Sequence, residues 1–132
     1  MAEKLILAVV SDLMFSVKIG EAAKRAGVSV EFVTDSRQVL TRAARHPALI
    51  IFDLNFDRAE PIWLISQLKQ SEHLNTIPLL GYLSHVQIDL KKKAEDAGCD
   101  LVVARSVISR DLPELLGRFL ASSTPTSSSA HS

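Results

Sequence analysis

The sequence predicts a doubly wound α/β domain: a five-stranded parallel sheet in the order 2-1-3-4-5, covered on both faces in a three-layer α/β/α arrangement. Three observations predict it. Residues 5–10 and 49–52 are unbroken apolar runs, which read as strands buried on both faces. Segments of helical periodicity separate the strands, and strict alternation implies right-handed crossovers and a parallel sheet. The second strand instead alternates apolar and polar residues, so it belongs at an edge, and the strand order then reverses between the first and third strands.

The elements follow in order. Residues 5–10 form the first strand and run into Ser11 and Asp12. Phe15, Ile19, Ala22, Ala23 and Ala26 then recur at helical spacing opposite Lys18, Glu21, Lys24 and Arg25, and Gly27 closes that helix. Residues 28–34 are the alternating strand. Asp35 or Ser36 caps a second helix that turns Val39, Leu40, Ala43 and Ala44 inward, and His46-Pro47 stops it. The third strand runs from Leu49 into Asp53. Pro61 opens a third helix with Ile62, Ile65 and Leu68 toward the sheet and Trp63 one step off that stripe, partly exposed. Residues 77–83 form the fourth strand, with Pro78 at its start, where a missing donor does least harm. A mostly polar helix over 86–97 carries Lys91, Lys92 and Lys93, which read as a solvated face, and ends at Gly98. Residues 101–104 are the fifth strand. Asp111-Leu112-Pro113-Glu114 resembles a capping box and opens a last helix with Leu115, Leu116, Phe119 and Leu120. The domain is expected to span 1–120. Residues 121–132 are Ser/Thr-rich without periodic apolar positions and are expected to be disordered.

Composition narrows the function classes. A chain of 132 residues suits one domain, and 47% apolar with 23% charged residues argues against disorder in its main body. Fifteen basic and fifteen acidic residues cancel, so the basic footprint of a nucleic-acid binder is missing. The single cysteine, Cys99, cannot close an internal disulfide and reads as a buried structural thiol. With no signal-peptide layout and no apolar run near the roughly 18–20 residues of a membrane span, a soluble cytoplasmic protein is expected.

In open α/β sheets ligands gather at the carboxyl ends of the strands, and the predicted order sets Asp12 and Asp53 side by side there. Two carboxylates in that place can hold a hard divalent cation such as Mg²⁺. Alternatively, one can attack a phosphoryl donor while a metal neutralises the developing charge. Glycines stand only at 20, 27, 81, 98 and 117, so there is no G-x-G-x-x-G turn, no P-loop and no G-x-S-x-G elbow. No enzymatic activity is expected. His85, just past the fourth strand, reads as a surface turn histidine.

Asp12 after the first strand, Asp53 ending the third, Ile77-Pro78 entering the fourth and Ala97-Gly98-Cys99-Asp100 entering the fifth carry a resemblance. Over residues 4 to 120 the chain resembles the receiver domain of two-component response regulators, the CheY-like form of the flavodoxin-like fold. The resemblance implies Asp53 as phosphoacceptor from a histidine kinase and Mg²⁺ held by Asp12, Asp53 and the Asn55 carbonyl. It also implies Ser84 and Arg105 as phosphate-contacting groups. Several positions depart from the family pattern. Ser11 replaces the first of two acids, Leu83 stands where a Thr or Ser ends the fourth strand, and Val102 replaces the aromatic switch residue. Arg105-Ser106 replaces Lys-Pro, and Arg is larger, planar and forked where Lys is a compact charge. The pattern is that of an atypical or pseudo-receiver: a stand-alone signalling module acting on a histidine kinase or other signalling protein, or as a homodimer. A functional receiver phosphorylated on Asp53 with Mg²⁺ is the alternative, and a small-molecule-binding α/β module in the same cleft is a third reading.

Overall fold

A computed structural model describes residues 4–84 and 87–122. The chain folds as β1 (Leu5–Val9), α1 (Leu13–Arg25), β2 (Ser29–Phe32), α2 (Ser36–Ala43), β3 (Leu49–Asp53), a 3-10 turn (Asp57–Ala59) and α3 (Pro61–Gln70). It continues with β4 (Leu79–Leu83), α4 (Ile88–Ala97), β5 (Leu101–Ala104) and α5 (Arg105–Ser122). All strand pairs are parallel, in the order β2-β1-β3-β4-β5. The alternating second strand is indeed an edge, and β3, apolar up to its last residue, is buried throughout.

Because strand side chains alternate between faces, the core divides into two layers. Leu7, Val9, Ile50 and Phe52 pack with Val39, Ala43, Leu64, Leu68 and Ala94, from α2, α3 and α4. Ile6, Ala8, Ile51, Leu80 and Tyr82 pack with Phe15, Ile19, Ile108, Leu112 and Leu116, from α1 and α5. The alternation along β3 gives Asp53 to the second layer, on the α1/α5 side.

Local chemistry sets the boundaries. The Asp35 carboxylate accepts from the Arg37 N–H and caps α2. Pro78 lies just outside β4, its carbonyl accepting from the Ile50 N–H at 3.0 Å. Gly98 ends α4 at φ 113°, where a Cβ would stand 2.6 Å from Lys69 Cγ, so glycine is required there on both counts. The Cys99 thiol is buried, lies within 3.5 Å of the Leu79 and Leu101 carbonyls, and has its pKa pushed up to about 11 by burial.

One element departs from expectation. A helical segment not expected from the sequence starts at Arg105 directly after β5, and α5 joins it across a kink at Asp111 to the expected last helix, which runs to Ser122. Asp111 (φ −118°, ψ 16°) leaves helical geometry, so two helical segments meet there. The Asp111-Leu112-Pro113-Glu114 stretch opens the second of them as the sequence predicts, with Pro113 in its first turn, where a missing N–H does least harm. Ile108, Leu112, Leu115 and Leu116 carry one buried stripe through that bend. The helix also takes in residues 121 and 122. The expected tail from 123 onward, and the expectations for His85 and Val86, lie outside the described residues.

Candidate functional site

The site is built at the carboxyl ends of β1, β3 and β5, on the α1/α5 side. Asp12 adopts extended backbone geometry and caps α1. Its Oδ1 accepts from the Met14 N–H at 2.8 Å and the Phe15 N–H at 3.3 Å. Its other oxygen, Oδ2, pairs with Arg105 Nη2 from the first turn of α5. The Arg105 guanidinium also lies over the Phe15 ring, Cζ 4.4 Å from the centroid. Burial acts to raise the Asp12 pKa, but the Phe15 and Met14 N–H groups and the Arg105 charge outweigh it and hold the carboxyl below its ordinary value.

Asp53 ends β3 opposite Tyr82 of β4 and is 8% exposed. Its Oδ1 accepts from the Asn55 N–H at 2.9 Å, the one hydrogen bond recorded for this carboxylate among the described residues. Burial raises its pKa, and the charges of Asp12 and Asp57 add to the rise against the Asn55 N–H and Arg105. The two carboxylates are thus shifted in opposite directions. Asp12 is committed and ionised, whereas Asp53 is desolvated and largely unpaired.

Asn55 uses its side chain as a brace. Its Oδ1 accepts from the Ser84 N–H at 2.8 Å and the Ser84 hydroxyl at 3.2 Å, while its Nδ2 donates to Gln87 Oε1 at 2.9 Å. The segment after β3 is thereby tied to the segment after β4. The Asn55 carbonyl accepts from the Asp57 N–H at 3.1 Å.

The structure therefore brings Asp12 together with Arg105 and Asn55 together with Ser84, and places Asp12 and Asp53 on adjacent strands. Arg105 faces Asp12. Leu83 is buried, with its side chain in the layer under α2, α3 and α4, and Val102 lies in that same layer. Two residues of the site went unread in the sequence. Phe15 stood as an ordinary helix core position, although a ring three residues after a capping acid is well placed to meet a cation. Tyr82 was subsumed in an apolar strand. Its ring lies 5.1 Å from that of Phe15, it is 1% exposed, and its hydroxyl has no hydrogen-bond partner among the described residues. Burial and the nearby Asp53 charge push its pKa well above the ordinary tyrosine value.

These residues do not fit Mg²⁺ as arranged. Asp12 has both oxygens engaged, the Asn55 carbonyl serves a local turn, and a guanidinium already neutralises the acid. Among the described residues no group of three or more His, Cys, Asp or Glu side chains converges on a metal position.

No family model matches the sequence, and no curated protein matches it. Solved structures do. The signal receiver domain of a histidine kinase from Syntrophus aciditrophicus superposes with a TM-score of 0.80 at 20% identity, covering 99% of both chains. Chemotaxis response regulator CheY4 of Vibrio cholerae gives 0.77 at 19% identity, over 90% of this chain and 100% of that one. The phosphorylated cyanobacterial phytochrome response regulator RcpA gives 0.76 at 19%, over 93% and 98%. The fold is that of response-regulator receiver domains, a class of phosphorelay signalling modules. Among the described residues no helix is long and apolar enough to cross a membrane.

Proposed function

We propose that the protein is a receiver-like signalling module that acts by binding other proteins, with phosphoryl transfer to Asp53 weakened or lost. One observation carries this reading: the Arg105 guanidinium sits on Asp12, where the family resemblance calls for Mg²⁺. A monovalent planar cation neutralises the acid but offers no open coordination position to a phosphoryl oxygen. The departures at Leu83 and Val102 support the same reading, because no hydroxyl or ring stands there to respond to a phosphoryl group. The partners on this reading are a histidine kinase or another signalling protein, or a second copy of the chain.

Incubating the protein with acetyl phosphate and Mg²⁺ and recording the intact mass tests it. No adduct, or one that forms far more slowly than in the Arg105→Lys variant, is the expected result. A stable phosphoryl adduct that forms on Asp53 of the unaltered chain as fast as on the Arg105→Lys variant would overturn it. That outcome would instead support a working atypical receiver, the alternative favoured by the uncommitted Oδ2 of Asp53 at the end of β3.

A further inference from the structure

A second concavity opens at the same end of the sheet, and neither Asp12 nor Asp53 lines it. It has a volume of about 480 Å³, within the range of roughly 300–1,000 Å³ common for small-molecule sites. Three chain segments build it: the turn from β1 into α1, the end of β2, and the segment after β3. The walls carry two aromatic rings, Phe32 and Phe56, together with the hydroxyl residues Ser11, Ser16 and Thr34 and the cation Arg58.

Two features of this groove are unexplained by folding. Phe32 is 40% exposed at the edge of the sheet, and Leu13 beside it is 79% exposed, so large apolar surface faces water where the chain had polar alternatives. Arg58, in the 3-10 turn, makes no ion pair or hydrogen bond among the described residues. The acids close to it in sequence or at the same rim leave it unpaired. Asp35 caps α2 and Glu60 accepts from the Ser36 hydroxyl at 3.4 Å, while Asp57, next to Arg58 in sequence, forms no ion pair with it among the described residues. An open apolar wall, hydroxyls and one uncommitted guanidinium form a complementary set for a particular ligand chemistry. The Ser16 hydroxyl already donates to the Asp12 carbonyl at 3.0 Å. A flat ring would cover the phenyl surface, and an anionic group would meet the fork of Arg58 and the hydroxyls of Ser11 and Thr34.

We infer that this groove binds a small planar aromatic anion: an aromatic ring system bearing one carboxylate or phosphate group. The inference goes beyond the signalling role proposed above and holds irrespective of the state of Asp53. Three segments of one chain line a groove of about 480 Å³, the size of a small-molecule site and not of a protein-binding surface.

Isothermal titration calorimetry with the full chain tests the inference using four probes. These are adenosine 5′-monophosphate (ring and phosphate), indole-3-acetate (ring and carboxylate), adenosine (ring alone) and inorganic phosphate (anion alone). The expected result is saturable binding of at least one of the two ring-bearing anions and at least fivefold weaker binding of adenosine and phosphate. Arg58→Ala and Phe32→Ala, both at exposed positions, each weaken that binding at least fivefold, while the intact circular-dichroism spectrum shows that the variants fold. Which anion binds distinguishes the phosphate from the carboxylate source. No saturable binding of either ring-bearing anion up to 10 mM ligand, on the order of a hundredfold above the ordinary range for such sites, overturns the inference. So does binding that both variants leave unchanged. Concentration-dependent dimerisation abolished by Phe32→Ala would also overturn it, since the exposed wall would then be a contact between copies.

Discussion

Replacing Arg105 with Ala removes the cation from Asp12 and from the Phe15 ring at once. The cost follows from the geometry. The ion pair is partly open to solvent, with side-chain exposures of 37% and 27%, so it belongs with surface pairs worth up to about 1 kcal/mol. The cation–π contact at 4.4 Å adds about 0.5–1 kcal/mol in a half-exposed setting. Arg105→Ala is therefore expected to lose about 1–2 kcal/mol in urea unfolding. A double-mutant cycle with Asp12→Asn isolates the pair, because Asn keeps the oxygen that caps α1. The coupling should be about 0.5–1 kcal/mol and should shrink in 1 M salt. The same variant frees one Asp12 oxygen, so Mg²⁺ should raise the melting temperature of Arg105→Ala more than that of the unaltered chain. A coupling of zero would refute the pairing. Equal Mg²⁺ stabilisation of the two proteins would refute the idea that Arg105 excludes the metal.

Three further substitutions probe the rest of the site. Tyr82→Phe keeps the ring packed on Phe15 and deletes a buried hydroxyl without a partner, so it should stabilise the fold by about 1 kcal/mol, a rise of roughly 3–5 °C in melting temperature; a loss of stability would show that the hydroxyl is bonded. Asp53→Asn should stabilise the protein at pH 7 and lose that advantage in acid. Burial raises the folded pKa of Asp53 above its unfolded value, so the acid contributes stability below the ordinary carboxylate range that disappears as pH rises through the raised value. Urea midpoints of both proteins between pH 3 and pH 7 check this, and curves that stay parallel would count against it. Asn55→Ala removes the brace between the β3 and β4 ends, which should speed amide hydrogen exchange around Ser84 and cost about 1 kcal/mol; unchanged exchange there would mean that the brace holds nothing.

What the sequence showed and what it hid divide along a physical line. The apolar run of β3 ending in Asp53, the alternation of β2 and the helical stripe of α1 are properties of neighbouring residues, and the strand order followed from them. The adjacency of Asp12 and Asp53 followed in turn from the order. The Arg105–Asp12 pair joins residues 93 positions apart, and its existence depends on α5 starting with no loop after β5. That start was hidden because Val107 and Ile108 offer too few apolar positions before Asp111 to show a period. Asn55 was read through its carbonyl, as the family resemblance suggests, whereas the structure engages its amide with partners 29 and 32 residues away. A side-chain amide has donors and acceptors enough for many partners, and only tertiary structure selects among them.

The departures from the receiver pattern differ in kind, and on the reading proposed above that difference decides which part of a phosphorylation switch would be weakened. A partner worth about 1–2 kcal/mol on Asp12 would weaken a competing cation by roughly five- to thirtyfold, which excess metal can overcome. On the reading proposed above, loading is therefore impeded by Arg105, not abolished. The readout is another matter. A ligand shifts a conformational equilibrium only through contacts that differ between the two states. Leu83 has no donor to offer a phosphoryl group, Val102 has no ring to turn, and the Ser84 hydroxyl and N–H are already given to Asn55. With the segment after β4 held by the chain's own amide, a phosphoryl group arriving on Asp53 would find little left to pull inward. Restoring a lysine at 105 should thus recover loading without recovering any movement of that segment. An Asn55→Ala variant carrying Leu83→Thr should be the one in which amide exchange around Ser84 responds to acetyl phosphate. If the segment already responds in the unaltered chain, the brace is not what silences the switch.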